Sequence, residues 1–300
     1  MQPRRQDYAL LLLLGAVWGA SFLLIKLAVA TVPPLSIAAG RILIGAAVML
    51  PVLRWRGLGL PASRQTWAKL LFMGGIGTVV PFALINWGET QIDSGLAAIL
   101  MSAVPFSTLL LAHLFQRDEP LTPGKLVGVA LGTVGLVVLI GPSALAGAGQ
   151  HVAAELAVLV ATLCYAANSI VARRLGAVAP EVMVAGMLLA AGLFGVPLCL
   201  VVDRPWQSEP SALSLLALVV LGVLPTAFGY LLSFRIIVRA GAGFASFNNF
   251  LVPVFGVLWG VLLLGETPRP SALAGLAIVL AGLAAPRLWP RRLRAADAPE

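Results

Sequence analysis

Long apolar runs follow one another along almost the whole chain, separated by short polar stretches. A run of about 20 apolar residues is long enough to cross the hydrocarbon core of a bilayer as a helix. The pattern predicts an all-α polytopic membrane protein with ten transmembrane helices. We number these predicted helices span 1 to span 10 in chain order: 8–31, 34–53, 67–88, 94–115, 123–141, 152–172, 180–202, 211–234, 241–264 and 270–288.

The composition agrees with this pattern. Hydrophobic residues make up 60% of the 300 residues and charged residues 11%, whereas soluble domains average roughly 25% charged residues. The mean hydropathy is +0.98. A soluble all-helical protein is therefore disfavoured.

The basic residues predict an orientation. With ten spans, both termini and the loops after spans 2, 4, 6 and 8 lie on one side, and they carry most of the Lys and Arg residues, whereas the opposite loops contribute Arg204 and Arg269. The positive-inside rule then places both termini in the cytoplasm, and we expect the protein in the cell (inner) membrane. This topology and anionic lipid head groups account for the net charge of +8, so we expect no binding of nucleic acid.

The second half of the chain repeats the first at an offset of about 148 residues. The segment GLAAILMSAVP of span 4 corresponds to GFASFNNFLVP of span 9, and Phe82 of span 3 corresponds to Tyr230 of span 8. We expect two five-helix repeats, over 8–141 and 152–288. Because five is an odd number, the second repeat enters the membrane from the opposite side, a 5+5 inverted arrangement that is typical of transporters.

Several motifs resemble the EamA type of the drug/metabolite transporter superfamily. They are AVWGASFLLIK of span 1, GRILIGAAVMLP of span 2, DEPLTPGKLVGVALGTVGLVVL and GETPRPSALAGLAIVLAGLAA. The resemblance covers residues 8–286 and departs where Asp118, rather than glycine, precedes Glu119. It implies a ten-helix fold with a central cavity lined by spans 1–4 and 6–9, with spans 5 and 10 outside. It also implies export or exchange of small metabolites, often amino acids.

Polar or aromatic residues that differ between the repeats are candidates for substrate contacts, because a substrate is not symmetric. Asn248 and Asn249 correspond to Leu100 and Met101, and unpaired amides in hydrocarbon cost several kcal/mol each. We expect Asn249 to line the pathway beside a helix broken at Pro253, and Asn248 to bond another helix. The alternative is that both amides only bond neighbouring helices.

Other candidates lie in spans 1, 3, 6 and 8. Trp18 is near the middle of span 1, where interfacial anchoring cannot explain it, and Tyr165 and Asn168 share one face of span 6. Packing explains each residue taken singly, but together they predict a neutral, aromatic-rich cavity. The candidate substrate-binding residues are Trp18, Thr78, Phe82, Asn86, Tyr165, Asn168, Tyr230, Asn248 and Asn249.

Ionisable groups are scarce inside the predicted spans. Arg41 lies about two turns into span 2, deep enough to be functional, although a bond to a structural carbonyl is an equally good explanation. His113, near the cytoplasmic end of span 4, is a weaker candidate. The sequence shows no carboxylate at mid-depth, so we expect facilitated diffusion or exchange. We also expect no metal site and no cofactor.

The sequence thus predicts a transporter that exports or exchanges small neutral or zwitterionic metabolites, amino acids including aromatic ones, by alternating access. The alternative within this class is an efflux carrier for drugs or lipophilic metabolites. A channel would need a constant polar lining or a filter, and a membrane-embedded enzyme would need a motif such as H-E-x-x-H or G-x-S-x-G, which is absent. We therefore expect no enzymatic activity.

The expected partners are a small-molecule substrate and the lipid bilayer, and the expected state is a monomer or a homodimer. Gly124, Gly128 and Gly132 repeat at every fourth residue of span 5, a spacing that permits close helix contacts. The ridge serves packing within the chain or, alternatively, a dimer.

Overall fold

The computed structural model describes residues 3–88, 91–92, 100–101, 103–115, 122–140, 145, 148–264 and 270–288. Within these ranges every extended regular element is helical. The helices are α1 (Arg5–Val29), α2 (Pro34–Trp55), α3 (Arg64–Gly74), α4 (Val80–Gly88), α5 (Ala103–Phe115), α6 (Pro123–Ile140), α7 (Val152–Arg174), α8 (Pro180–Val202), α9 (Ala212–Leu221), α10 (Gly229–Ala240), α11 (Ala242–Ser246), α12 (Asn248–Leu264) and α13 (Pro270–Leu288), with the π-helical segments π1 (Gly75–Val79) and π2 (Gly222–Phe228) and a 3₁₀ turn, Pro205–Gln207.

Six helical stretches are long and apolar enough to cross a membrane, and they coincide with predicted spans 1, 2, 3, 6, 7 and 8. Shorter apolar helices lie within spans 4, 5 and 10, and α12 lies within span 9. The prediction of an all-α, multi-pass membrane protein is confirmed, and the count of ten spans stays a prediction. The six long stretches are Arg5–Val29, Pro34–Trp55, Arg64–Ile85, Val152–Arg174, Pro180–Val202 and Ala212–Ala240.

The same sequence signals begin equivalent helices in the two halves. Pro34 and Pro180 open α2 and α8, where the fixed φ of proline suits the first helical residue. Ser63 and Ser211, 148 residues apart, cap α3 and α9 by accepting a backbone N–H three residues later. Such caps satisfy donors that a helix start would otherwise leave unpaired.

Helix contacts also recur between the halves. Helix α1 packs against α12, as α7 packs against α5. Helix α1 also packs against α9, π2 and α10, as α7 packs against their counterparts α3, π1 and α4. Helix α2 contacts π2 in the way that α8 contacts π1 and α3, and α2 also packs against α8. The spans that contain π1 and π2 are therefore each held by helices of the opposite half.

Helices α6 and α13 pack closely against each other. A Cβ atom at Gly128 would lie 2.8 Å from the carbonyl oxygen of Gly282, and one at Gly132 would lie 2.6 Å from the Phe250 ring. Gly128 and Gly132 thus face neighbouring helices of the same chain, so this part of the glycine ridge serves internal packing.

Candidate functional site

Two π-helical segments interrupt equivalent spans. In a π turn the backbone hydrogen bonds shift by one residue, and such turns often mark functional sites. Thr78 of π1 donates its hydroxyl hydrogen to Met73 O at 3.0 Å, and Thr226 of π2 donates to Leu221 O at 2.8 Å. Both threonines are fully buried and lie 148 residues apart. The same side chain therefore supports the same turn in both halves.

A side chain from the opposite half donates a hydrogen bond to each π segment. Trp18 Nε1 of α1 donates to Pro225 O at 2.9 Å, and Asn168 Nδ2 of α7 donates to Gly77 O at 3.4 Å. Gly77 and Pro225 are equivalent at the 148-residue offset, but Asn168 is equivalent to Ala20. Equivalent carbonyl groups are thus held by different donors from slightly different positions.

Two glycines give these donors room. A Cβ atom at Gly77 would lie 2.5 Å from Asn168 Cγ, and one at Gly229 would lie 2.4 Å from Trp18 Nε1. Both distances are far below van der Waals contact, so any larger residue would displace the donor. The indole and the amide reach the π segments only because these positions lack a side chain.

Aromatic rings surround the contact between α1 and π2. The Trp18 and Tyr230 rings meet edge to face, with centroids 6.1 Å apart, and Tyr230 also packs against Phe234. Tyr230 is 6% exposed, and its side chain interacts with Thr78 of the other half. Phe82, the counterpart of Tyr230, is only half-buried.

Arg41 of α2 lies beside these side chains. Its Nε donates a hydrogen bond to Thr226 Oγ1 at 2.9 Å, and its guanidinium carbon lies 4.6 Å from the centre of the Phe82 ring. The guanidinium group is also close enough to Tyr165 and Tyr230 for an electrostatic interaction. The sequence left a bond from Arg41 to a structural carbonyl as one explanation. In the structure the acceptor is instead the hydroxyl group of Thr226 in π2.

The two adjacent amides behave differently from the expectation. Asn249 Nδ2 donates to Ser246 O at 2.9 Å within its own turn, whereas Asn248 is fully buried and neither of its polar atoms bonds a described residue. The prediction that Asn248 bonds another helix is therefore wrong for the part of the chain that the structure describes. The break lies at Phe247, between α11 and α12, and not at Pro253, which is inside α12.

The structure thus brings six of the candidate residues and Arg41 into one central cluster. Asn248 and Asn249 lie at the α11–α12 junction, and His113 is exposed in the last turn of α5. Asn86 is in α4 with a side chain outside the described part, and the Asp118–Glu119 motif also lies outside it. The members of the central cluster are Trp18, Arg41, Thr78, Phe82, Tyr165, Asn168 and Tyr230.

The acceptors in this cluster, the carbonyl oxygens of Pro225 and Gly77, are not among the residues predicted from the sequence. Pro225, in the interior of an apolar span, indicates an irregular helical turn, since proline cannot donate a hydrogen bond to the preceding turn, but it does not mark its own carbonyl as an acceptor. Gly77 gave no comparable signal, because glycine is common in transmembrane helices. In the described part of the chain, no group of three or more His, Cys, Asp and Glu residues could hold a metal ion.

Charged pairs lie at helix ends instead. Arg239 Nε is 3.2 Å from Asp7 Oδ1, and Arg235 Nη2 donates to Glu181 Oε1 at 2.6 Å. Asp203, after the end of α8, accepts hydrogen bonds from the backbone N–H and the hydroxyl of Ser36. The first two contacts join α10 to the starts of α8 and α1, and the third joins the start of α2 to the end of α8.

The fold and sequence have clear counterparts among known proteins. A crystal structure superposes with a TM-score of 0.80 at 23% identity, covering 95% of this chain and 99% of the other. A probable amino-acid metabolite efflux pump of Salmonella typhimurium is 29% identical over 298 residues, which cover 93% of this chain and 94% of that protein. A probable terminal-alkyne amino-acid exporter of Streptantibioticus cattleyicolor is 28% identical over 230 residues, covering 76% and 75% of the two chains.

The two halves of the chain also match one protein family separately. The EamA-like transporter family matches residues 7–141 and again residues 152–285. Together the two matches take in nearly the whole sequence. The chain therefore belongs to the EamA-like transporter family, within the drug/metabolite transporter superfamily.

Proposed function

We propose that this protein exports or exchanges small zwitterionic or neutral metabolites, amino acids including aromatic ones, across the cell (inner) membrane. The observation that carries the proposal is the central cluster, in which aromatic rings and hydrogen-bonding groups from both halves meet deep in the helices. Trp18, Phe82 and Tyr165 are half-buried there, a setting suited to a small ligand with an apolar side chain. Two relatives that carry amino-acid compounds in their names support the same substrate class.

Alternating access is the mechanism that these contacts support. The bonds from Trp18 to Pro225 and from Asn168 to Gly77 each cross between the halves at a π segment. A π turn is a local irregularity at which a helix bends with little loss of hydrogen bonding. We place the hinges of spans 3 and 8 at π1 and π2, with the substrate between them, at the interface of the two repeats.

The carboxylates of the described residues support facilitated exchange over a strongly coupled pump. The carboxylates of Asp7, Glu155 and Glu181 lie in the first turns of α1, α7 and α8, and those of Asp203 and Glu209 lie just beyond helices. A proton or sodium relay usually needs a carboxylate within the membrane. In this proposal both termini are cytoplasmic, and the working unit is a monomer or a homodimer.

Flux in proteoliposomes tests the proposal. Vesicles preloaded with labelled phenylalanine or leucine should show saturable efflux that external unlabelled amino acid stimulates and that an imposed pH gradient leaves unchanged. Tyr165→Ala and Tyr230→Ala should lower this flux while the protein stays folded. Absence of flux for all amino acids would contradict the proposed substrates, and saturable flux of lipophilic drugs in its place would assign the alternative efflux role.

A further inference from the structure

Arg41 is a cation deep inside an apolar helix, without a carboxylate partner in the described part of the chain. It lies seven residues after Pro34, about 10 Å along the helix axis at 1.5 Å per residue. The ion pairs of the described residues are those of Glu181 and Asp7 at helix ends. An arginine at this depth normally pairs with an anion or marks a substrate pathway.

The side chain is fixed in a way that leaves one edge of the guanidinium group for a ligand. Thr226 Oγ1 accepts the Nε hydrogen at 2.9 Å, and the Phe82 ring covers one face at 4.6 Å. Neither contact uses the two terminal nitrogens, which form the fork that binds a carboxylate through two parallel hydrogen bonds. Arg41 is also only half-buried, so part of the side chain remains accessible.

We infer that Arg41 binds the carboxylate of the transported molecule, and that a carboxylate is required of every good substrate. This inference rests on the proposed function and narrows it, because neutral and cationic compounds would leave the charge of Arg41 unpaired. The substrate supplies the missing counter-charge, and the bidentate fork sets its orientation. The rings of Trp18, Tyr165 and Tyr230 then surround the remainder of the molecule.

The position of Arg41 links the bound carboxylate to a hinge. Thr226, which accepts from Arg41, itself donates to Leu221 O within π2. A carboxylate that draws the guanidinium group towards itself changes the hydrogen bonding of this π turn. Arg41 therefore binds the substrate and couples this binding to the hydrogen bonding of π2 in span 8.

The experiment compares phenylalanine with its amide, phenylalaninamide, and with phenylacetate, which keeps the carboxylate and lacks the ammonium group. Efflux of each is measured from proteoliposomes containing the parent protein, Arg41→Gln, Arg41→Lys or Arg54→Gln. Arg54 is in the last turn of the same helix and exposed, so its replacement removes the same charge without touching the site. Melting curves in detergent identify the variants that stay folded.

We expect the efflux rate of phenylalanine from vesicles with the parent protein to exceed that of phenylalaninamide by at least about tenfold, because the amide leaves the charge of Arg41 unpaired. Arg41→Gln should abolish this preference by lowering phenylalanine flux, whereas Arg54→Gln should keep it. Arg41→Lys, which keeps the charge without the fork, should transport phenylalanine with a raised KM. If Arg41→Gln does not fold, the role of Arg41 is tested by the KM of Arg41→Lys and by the parent's preference for phenylalanine over phenylalaninamide.

The outcomes separate this inference from the proposed function. Equal phenylalanine flux in the parent and in folded Arg41→Gln, or a parent without preference for the carboxylate, overturns the role of Arg41 and leaves amino-acid transport standing. Arg41-dependent flux of phenylacetate without flux of phenylalanine supports the carboxylate site and overturns the amino-acid proposal. Absence of flux for every carboxylate overturns both.

Discussion

The indole nitrogen of Trp18 and the carbonyl oxygen of Pro225 form a hydrogen bond of 2.9 Å that joins the first half of the chain to the second. The equivalent carbonyl in the other half, that of Gly77, accepts from the amide of Asn168 at 3.4 Å. The two halves therefore hold equivalent π segments with chemically different donors. This difference places asymmetry at the centre of a repeated fold, as the proposed binding of an asymmetric substrate there requires.

Removing the indole donor tests the first contact. Trp18→Phe keeps an aromatic ring but leaves Pro225 O without this donor, so we expect a loss of about 1 kcal/mol in stability and a lower maximal flux. Trp259→Phe is the matched control, because Trp259 Nε1 also donates to a backbone carbonyl, that of Ala16, at 2.9 Å. Melting curves and efflux rates are measured for both. Equal changes in flux would show that the π2 contact has no special role.

Gly77→Ala tests the second contact. The new methyl group would lie 2.5 Å from Asn168 Cγ, and such overpacking costs about 1–3 kcal/mol. The double variant Gly77→Ala with Asn168→Ala should recover part of this loss, because the shortened side chain makes room. A double-mutant cycle of unfolding free energies measures the coupling, and strict additivity of the two changes would contradict the contact.

Asn248→Leu should separate stability from function. Asn248 is fully buried without a bonded partner among the described residues, so an apolar residue of similar size removes two unsatisfied groups. We expect a melting temperature equal to or above that of the parent, since unsatisfied buried polar groups cost about 1–3 kcal/mol. If Asn248 contacts the substrate, flux falls although the protein is more stable.

Asn249→Ala is the comparison for that result. It removes the bond from Nδ2 to Ser246 O, so it should destabilise the protein by about 1 kcal/mol. Substrate flux shows whether this amide also acts on transport. A lower melting temperature for Asn248→Leu than for Asn249→Ala would mean that Asn248 has a structural partner.

The pair Glu181 and Arg235 provides a prediction for one end of the bundle. The Glu181 side chain is 10% exposed and that of Arg235 34%, so Arg235→Gln leaves a nearly buried carboxylate without its partner. We expect this single variant to be less stable than Glu181→Gln with Arg235→Gln, because removing both charges avoids the unpaired ion. Thermal unfolding in detergent gives the order, and the reverse order would argue against a direct pair.

Several features of the site follow from residue types alone. A tryptophan in the middle of span 1, a tyrosine and an amide on one face of span 6, and an arginine within span 2 are all conspicuous against an apolar background. They are visible because the bilayer penalises polar groups strongly. Which of them bind a substrate stays a prediction.

Partners of these residues could not be read from the sequence. Asn248 and Asn249 are adjacent and chemically identical, yet Asn249 bonds its own preceding turn while Asn248 has no partner among the described residues. The choice depends on the break at Phe247, which separates α11 from α12. The sequence predicts a helix break at Pro253, because proline is a helix breaker. A proline inside a transmembrane helix is nevertheless tolerated when neighbouring groups satisfy the freed carbonyl.

The class of protein, the positions of the six long apolar helices and the correspondence between the halves follow from the sequence alone, because hydrophobic length and repetition can be read along the chain. The contacts of Trp18 with Pro225, of Asn168 with Gly77 and of Arg41 with Thr226 arise only in the folded chain. These contacts join residues about 90 to 210 positions apart, and they depend on two π turns and on glycines that let side chains approach. Contacts of this kind depend on packing in three dimensions, which a local sequence pattern does not reveal.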